Sequence, residues 1–322
     1  MRTLMIVCCG EALIDLVTED GLTYSARAGG SALIAALAGA RMGGDFAILA
    51  RVSKDAFGQR IRQELQESGV ATDLLVDAVE QTTLAVAAIS TDGNASYSFY
   101  MKGTADWNWT SNELILPAAP ALALLVGSMS MEVEPGRGLI LELAESCHSH
   151  GHTTVLFDPN TRLQSGSLGA SNAEATLPFV DIVKVSEEDM SLLYPGHDPA
   201  EVALKWAGLG PDLVCLTKGA SGVVAYRPDH PPLSVASPSV DVADTIGAGD
   251  TFCAALLFGL QKNGLLGSGS RERRASLSRE TIRRLLQLAC AAAALACENI
   301  GASPPQAWSI VESLAFDHPG AV

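Results

Sequence analysis

The chain has 322 residues, of which 48% are hydrophobic, so it can bury a large core in one big α/β domain or in two smaller ones. Its formal net charge of −15 repels a polyanion, which argues against a nucleic-acid partner. The seven cysteines lie among apolar neighbours without metal-ligand spacing, as is typical of reduced core residues.

Segments that direct a protein to or across a membrane have a recognisable composition, and from its composition we expect none in this sequence. Residues 1–17 are apolar but interrupted by Glu11 and Asp15, and they have no small-residue cleavage site. The longest apolar run near the end, residues 289–297, is too short to span a bilayer. We therefore expect a cytoplasmic protein with no membrane partner.

Short apolar runs alternate with longer segments of helical period along the chain. The predicted strands are residues 5–9, 46–52, 122–126, 154–157, 182–185, 213–217 and 223–226. The predicted helices are residues 31–41, 57–68, 137–148, 200–209, 251–261 and 282–297. Strands that are apolar at nearly every position, each followed by a helix, are typical of a parallel sheet covered on both faces. The predicted fold class is α/β, in a single domain of residues 1–322.

Two segments break this alternation. Residues 82–100 contain two strand-like runs joined through Asp92-Gly93-Asn94, which predicts a hairpin without an intervening helix. With the turn-rich residues 16–27 they are expected to form a small antiparallel flap, a β-lid of about residues 14–27 and 82–105. An ordinary edge hairpin explains the same pattern equally well. Residues 264–278, rich in Gly, Ser and Arg, are expected to form a mobile surface loop.

The segment DTIGAGD (residues 244–250) runs directly into an apolar helix. The first turn of a helix has N–H groups without internal partners, and glycines there let an anion approach the backbone. Gly247, Ala248 and Gly249 are therefore predicted to form an anion hole. Asp250 is placed to take the proton of a hydroxyl that attacks phosphorus, which indicates a kinase of small alcohols. The alternative is a carboxylate that only complements the helix dipole.

The segment DTIGAGDTFCAALL (residues 244–257) resembles the C-terminal signature of the ribokinase-like (PfkB) carbohydrate kinases, and Gly29-Gly30 stand where that family has its first signature. Six more segments are most similar to the bacterial fructokinase branch: GEALIDL (10–16), VGSMSME (126–132), FDPNTR (157–162), VKVSEED (183–189), LTKGASG (216–222) and CENIGASPP (297–305). Each motif is weak alone, whereas their order and spacing together are specific.

The resemblance implies a three-layer α/β/α fold with a mostly parallel central sheet and a small β-lid. It implies that Asp250 is the catalytic base and that residues 247–249 are the anion hole. The implied sugar-binding residues are Asp15, near the end of the first strand, Gly29, Gly30, Tyr100, Asn160 and Arg162. The implied ATP-binding residues are Lys184, Ser186, Thr217, Gly219 and Gly222, with Gly247 and Gly249.

The same resemblance implies ATP and Mg²⁺, with Asp189 acting on the ion through water. It also implies a monovalent cation such as K⁺, held by Asp244 with the carbonyls of Ile246, Ala296 and Gly301. A homodimer through the lid is a further expectation.

Three departures bear on the substrate. Ile34 stands where the family has a sugar-binding Asn, which removes a donor and an acceptor from the substrate wall. Ser186 and Asp189 replace the commoner Asn and Glu, and Trp107 stands where a basic residue is expected. The best reading is an ATP-dependent fructokinase. The alternatives are a kinase of 2-keto-3-deoxygluconate, tagatose or a nucleoside, and a sugar-binding regulator without turnover.

Some polar and aromatic residues fit a structural role better than a site. His148, His150 and His152 are expected to lie at a solvated helix end that Gly151 terminates. Trp107 and Trp109 are expected to pack at the lid hinge rather than to stack on a ring. Lys218 suits a phosphate contact and an exposed loop equally well.

Overall fold

An eight-stranded, a four-stranded and a two-stranded sheet make up the computed structural model, which describes residues 5–18, 20–89, 95–114, 116, 121–161 and 169–299. The strands are β1 (Ile6–Cys9), β2 (Leu13–Thr18), β3 (Ser25–Gly29), β4 (Phe46–Leu49), β5 (Arg51–Ser53), β6 (Val76–Ala78), β7 (Leu84–Ile89), β8 (Ala95–Tyr100), β9 (Ala123–Gly127), β10 (Thr154–Asp158), β11 (Ile182–Ser186), β12 (Leu213–Thr217), β13 (Val223–Arg227) and β14 (His230–Val235). The helices are α1 (Ser31–Arg41), α2 (Ala56–Glu67), α3 (Gly136–His150), α4 (Ala170–Thr176), α5 (Glu187–Leu193), α6 (Pro199–Ala207), α7 (Ala248–Lys262), α8 (Ser270–Ala275) and α9 (Arg279–Ala296).

The main sheet has eight strands in the order β14-β13-β12-β11-β10-β9-β1-β4. The strands from β12 to β4 are parallel, and β13 and β14 add an antiparallel edge. Ile6 and Cys8 of β1 face one hydrophobic core, while Val7 and Cys9 face the other. A strand that is buried on both faces needs apolar residues at every position, so the α/β prediction is confirmed.

Helices cover both faces of this sheet. One core contains side chains of α1, α2, α7 and α9, and the other contains side chains of α3, α4, α5 and α6. Helices α1 and α7 are almost entirely buried because they are apolar on every side. Their N-terminal ends are half-buried, next to the carboxyl ends of the strands.

The chain reverses its direction of travel across the sheet beside β1. From β1 it passes through α1 to β4 on one side, and β9 returns to the other side and leads to β10. Parallel sheets open a crevice at such a point, at the carboxyl ends of the strands, and ligands bind there. The crevice between β1 and β9 is thus where the topology places a site.

The second sheet has the order β3-β2-β7-β8. It contains both segments that are predicted to form a flap, but its central pair, β2 and β7, is parallel, so the antiparallel prediction is wrong for that pair. The outer pairs are antiparallel because short connections allow it. The predicted turn Asp92-Gly93-Asn94 lies outside the described residues.

Two other local predictions are wrong. The predicted strand 46–52 is interrupted at Ala50, after which β5 leaves the main sheet and pairs with β6. The segment predicted to be a mobile loop, 264–278, contains helix α8, and its Arg274 side chain is only 3% exposed. Arg274 bonds Asp212 at 2.6 Å and the Ser270 hydroxyl at 2.7 Å, so ion pairs and hydrogen bonds hold helix α8, while Leu265 and Leu266 before it pack into the core.

Among the described residues, no helix combines the length and the hydropathy that a membrane span requires. The histidines at the end of α3 follow the prediction, because the helix ends at His150 and Gly151 takes the left-handed conformation.

Candidate active site

Helix α7 begins with a glycine turn. Gly247 has a φ of 79°, in the left-handed region that favours glycine, and the Asp244 carboxylate accepts a hydrogen bond from the Ile246 amide at 3.0 Å. Within the described part of the chain, the amides of Gly247 and Gly249 have no hydrogen-bond partner. Two unpaired amides at the positive end of a helix form a site for an anion.

Asp250 lies in the first turn of α7 and is 8% exposed. Its Oδ1 accepts a hydrogen bond from the hydroxyl of Ser31, the first residue of α1. These residues are 219 positions apart, and they meet because α1 and α7 pack side by side on one face of the sheet. A carboxylate near the anion site is therefore held by a neutral donor.

A buried ion pair lies at the same helix end. Lys184 of β11 and Asp158 of β10 are 4% and 2% exposed, and the Lys184 Nζ lies 2.9 Å from the Asp158 Oδ2. A Cβ atom added to Gly249 would lie 2.7 Å from this Nζ. The ammonium group therefore adjoins the backbone amides of the glycine turn.

Burial and neighbouring charges act against each other at this ion pair. Burial by itself lowers the pKa of Lys184, but the carboxylates of Asp158 and Asp189 outweigh it and hold the pKa above its ordinary value. Burial raises the pKa of Asp158, Lys184 opposes the rise, and Asp189 and Asp250 add to it. Lys184 thus stays a cation within a group of three carboxylates.

Glu11 lies in the crevice between β1 and β9. Its side chain, 1% exposed, accepts a hydrogen bond from the Ser31 amide at 3.0 Å and one from the Ser130 amide at 3.3 Å. Glu11 therefore joins the end of β1, the start of α1 and the turn after β9.

Asp106 is a second buried acid beside this crevice. It accepts a hydrogen bond from the Ala12 amide at 2.7 Å and is 1% exposed. Burial raises the pKa of Asp106 to about 7, hydrogen bonds from Thr83 and Ala12 oppose the rise, and the charge of Glu11 adds to it. Asp106 anchors the segment that follows β8 to the residue before β2.

Asp189 is the acid predicted to act on Mg²⁺. Its carboxylate accepts hydrogen bonds from the Thr161 amide at 2.9 Å and from the Ser186 hydroxyl at 2.6 Å. Ser186 also caps helix α5, since its oxygen accepts from the Asp189 amide. Asn160, just before Thr161, has a φ of 36°, in the left-handed region, and the bond from the Thr161 amide to Asp189 holds this loop beside the end of β10.

The residues predicted to bind the nucleotide follow β12. Thr217 ends that strand, and Gly219 lies in open space with a φ of 53°. A Cβ at Gly222 would approach the Val235 carbonyl oxygen to 2.1 Å, so this glycine is required by strand packing. The Lys218 ammonium pairs with Glu187 at 3.0 Å, which connects this loop to α5.

The residues predicted to hold a monovalent cation are partly brought together. The amides of Ala243 and Asp244 both donate to the Cys297 carbonyl, so the Asp244 loop lies against the end of α9, beside Ala296. Ile246 is 38% exposed, and Gly301 lies outside the described residues. Across the residues that the structure describes, no three His, Cys, Asp or Glu side chains converge as metal ligands.

The predicted sugar-binding residues lie in several places. Asp15 is not at the end of the first strand but in the middle of β2, where it faces Gly29 of β3 so closely that a Cβ on Gly29 would overlap its carboxylate. Gly30, with a φ of 103°, precedes α1. Tyr100 is 62% exposed at the end of β8, and Arg162 lies outside the described residues.

Two departures from the family pattern have a structural setting. Ile34 is 2% exposed and belongs to the core between α1 and the sheet. Trp107 is 3% exposed and packs with Leu13, Ala85 and Met129 beneath the second sheet.

Sequence reasoning missed four residues at this crevice: Ser31, Glu11, Asp106 and Asp158. Ser31 directly follows the predicted Gly29 and Gly30, and Glu11 lies four residues before the predicted Asp15. Asp158 begins the DPN element. The signal that could have found them is a polar side chain directly after an apolar strand, where a parallel sheet gathers its ligands.

Comparisons with known proteins agree with this geometry. Residues 3–309 match the family model described as pfkB family carbohydrate kinase. A fructokinase of Rhizobium leguminosarum bv. trifolii is 30% identical over 286 residues, which are 87% of this chain and 86% of that protein. Many further curated proteins match as well, and fructokinases of bacteria and plants are among them.

Solved structures of the same fold cover nearly the whole chain. The fructokinase with bound ATP from Xylella fastidiosa has a TM-score of 0.88 and 27% identity, over 97% of this chain and 98% of that one. The fructokinase from Vibrio cholerae O395 with fructose, ADP and calcium has a TM-score of 0.81 and 26% identity, over 97% and 99%. The predicted ribokinase-like arrangement is thereby confirmed, and the chain belongs to the pfkB family of carbohydrate kinases.

Proposed function

We propose that this protein is an ATP-dependent fructokinase, which transfers the γ-phosphoryl group of ATP to the 6-hydroxymethyl group of fructose. The observation that carries the proposal is the convergence of Asp250, the amides of Gly247 and Gly249, and the Lys184 ammonium at the start of α7. Phosphoryl transfer requires a proton acceptor and fixed positive charge around the phosphoryl oxygens, and little else. The fructokinases among the relatives support fructose as the acceptor.

The reaction assigns one role to each group. The hydroxymethyl oxygen attacks the γ-phosphorus, and its proton passes to the Asp250 carboxylate. The bond between the γ-phosphorus and the bridging oxygen breaks, and ADP leaves with that oxygen. The amides of Gly247 and Gly249 and the ammonium of Lys184 stabilise the negative charge on the transferred group.

Mg²⁺ is proposed to enter with the nucleotide. The residues fit a hydrated ion better than a directly bound one, because the carboxylate of Asp189 already accepts two hydrogen bonds and no three-ligand cluster occurs among the described residues. Mg²⁺ keeps most of its water and supplies charge neutralisation for the phosphates. Asp189 would contact its water shell, and Thr217 and Gly219 would border the nucleotide. We also propose that a monovalent cation binds beside Asp244 and that the protein forms a homodimer.

The second sheet is proposed to act as a lid. Its strands β2 and β3 carry Asp15 and Gly29, and Gly29 leads directly into the start of α1. Closure of this sheet over the sugar would exclude water, which otherwise accepts the phosphoryl group.

The test is ATP consumption with a panel of acceptors: fructose, tagatose, 2-keto-3-deoxygluconate and adenosine. We expect fructose to give the highest kcat/KM. Asp250→Ala should lower kcat by orders of magnitude while fructose and ATP still bind, because it removes the base alone. Binding of sugar without any ATP consumption by the unmodified protein would instead indicate a regulator.

A further inference from the structure

We propose that Ser31 is a positioning residue for the catalytic base: Glu11 fixes its backbone amide, and its hydroxyl holds the Asp250 carboxylate toward the acceptor. This inference rests on the proposed function, since it concerns the base of that reaction. Ser31 is half-buried at the first position of α1, and its hydroxyl donates to the Oδ1 of Asp250.

Three constraints fix where Ser31 lies. Its amide donates to the Glu11 Oε1 at 3.0 Å, and the other oxygen of Glu11 accepts from the Ser130 amide at 3.3 Å. A Cβ added to Gly30 would lie 2.6 Å from the Glu11 carbonyl oxygen, so the turn before Ser31 packs directly on the end of β1. The N-terminus of α1 is thus anchored on both sides of the crevice.

The hydroxyl of Ser31 does not cap its own helix. The residue before α1 is Gly30, which has no side chain, and no side-chain cap is present. A serine at this place usually satisfies local amides, whereas here Glu11 satisfies the Ser31 amide and leaves the hydroxyl to reach across to α7. The arrangement therefore serves Asp250 rather than α1.

A hydrogen bond to a carboxylate has two effects on a base. It restricts the carboxylate to one orientation, and it favours the ionised form, which lowers the pKa. The charge of Asp250 acts on Cys8 of β1, on Asp158 of β10 and, within α7, on Cys253, and the Lys184 ammonium of β11 lies beside Gly249 in the same turn. The negative charges of Asp158 and Asp250 repel each other, whereas the hydroxyl of Ser31, a neutral donor, favours the ionised carboxylate of Asp250.

The experiment compares Ser31→Ala and Ser31→Thr with the unmodified protein in kcat and KM from pH 5 to 9. Ser31→Ala should lower kcat about 10- to 100-fold, the range of a hydrogen bond to a charged group, and should move the acidic limb of the kcat profile to higher pH. Ser31→Thr retains a hydroxyl and should keep the acidic limb in place. The matched control is Ser276→Ala, an exposed serine at the end of α8, which should change neither.

A double variant separates positioning from other roles. In the Asp250→Ala background, Ser31→Ala should cause no further loss, because its effect passes through the carboxylate. The inference is overturned if Ser31→Ala costs the same factor with and without Asp250, or if it raises the KM for fructose while kcat and the acidic limb stay unchanged. The second result would make Ser31 a sugar contact.

A readout independent of turnover distinguishes this inference from the proposed function. The carboxyl carbon of Asp250, in full-length protein with ¹³C-labelled aspartate, can be assigned by its loss in Asp250→Ala and titrated by NMR. Its pKa should rise in Ser31→Ala and not in Ser31→Thr. If no acceptor is phosphorylated, the proposed function fails while this titration still decides the inference; an unchanged pKa in Ser31→Ala would contradict it.

Discussion

Lys184 is a buried cation whose charge serves both the fold and, in our proposal, the phosphoryl group. Lys184→Met leaves the Asp158 carboxylate, 2% exposed, without its partner, so the free energy of unfolding should fall by about 3–5 kcal/mol. Adding Asp158→Asn removes the uncompensated charge and should restore most of that loss. Urea denaturation of the unmodified protein, of Lys184→Met and of the double variant measures these free energies of unfolding.

The affinity for ATP should not recover with the stability. The double variant lacks the ammonium beside Gly249, so calorimetric titration with a non-hydrolysable ATP analogue should still show weakened binding. Recovery of both quantities together would mean that Lys184 acts only within the fold.

A substitution at Gly249 tests whether the backbone amides of the glycine turn bind an anion. A methyl group there would lie 2.7 Å from the Lys184 Nζ and would stand between the helix end and an anion, so Gly249→Ala should lower kcat/KM for ATP about 100-fold. Stability should fall less than in Lys184→Met, because the Lys184 Nζ must shift within its pair with Asp158 but keeps its charge. Gly138→Ala, in the first turn of α3, is the control and should leave the kinetics unaltered. Equal kinetics in both variants would exclude an anion at this turn.

The predicted helices and strands are confirmed for those elements whose apolar pattern is strong enough to determine the structure. Strands β1, β9 and β10 are continuous apolar runs, and α1 and α7 are apolar on every side, so their sequence alone indicates them. Helix α8 has the sequence SRERRA, which shows no apolar face. It forms because Arg274 finds two acids from the ends of other elements, which no local pattern reveals.

Arg274 makes a prediction about this element. Its guanidinium meets Asp212 at 2.6 Å and Asp181 at 3.3 Å, and both acids directly precede strands of the main sheet. Arg274→Met should lower the free energy of unfolding by about 3–5 kcal/mol, because it removes the cation that pairs with both buried carboxylates. Arg271, 44% exposed and 3.6 Å from Asp181, is the control; Arg271→Met should cost no more than about 1 kcal/mol.

The position of Arg274 also predicts what should not change. Asp181 and Asp212 lie at the amino ends of β11 and β12, opposite the edge that carries Lys184 and Thr217. The kcat per folded molecule of Arg274→Met, measured well below its melting temperature, should therefore match that of the unmodified protein. A large loss of kcat in fully folded variant would contradict this separation of the two edges.

For the whole molecule, the topology explains what the sequence could not predict about the site. The motif at 244–250 identifies the glycine turn and the base because their chemistry is local. Ser31, Glu11 and Asp158 reach the same crevice only because the chain reverses beside β1, and three separate strand ends then meet. A linear pattern carries no distance between such residues.

Asp106 makes the stability of the folded protein depend on pH. Its folded pKa of about 7 lies above the ordinary value for Asp, so its contribution to stability is complete below about pH 4 and is lost as the pH rises through 7. The free energy of unfolding of the unmodified protein, relative to that of Asp106→Asn, should therefore fall by a few kcal/mol between pH 5 and pH 8.

Denaturation midpoints across that range measure the difference. Asp20→Asn is the control, because Asp20 is exposed and its pKa of about 2, set mainly by the amides of Thr23 and Leu22, lies outside the window. A constant difference between Asp106→Asn and the unmodified protein across pH 5 to 8 would show that Asp106 is charged throughout.

The identity of the phosphorylated product tests the central claim most directly. With ATP, Mg²⁺ and [6-¹³C]fructose, NMR should show the labelled carbon coupled to phosphorus, with one ADP formed for each sugar phosphate, and Asp250→Asn should form this product at least about 1,000-fold more slowly. Release of inorganic phosphate without a coupled carbon signal, or equal rates for the two proteins, would contradict the account.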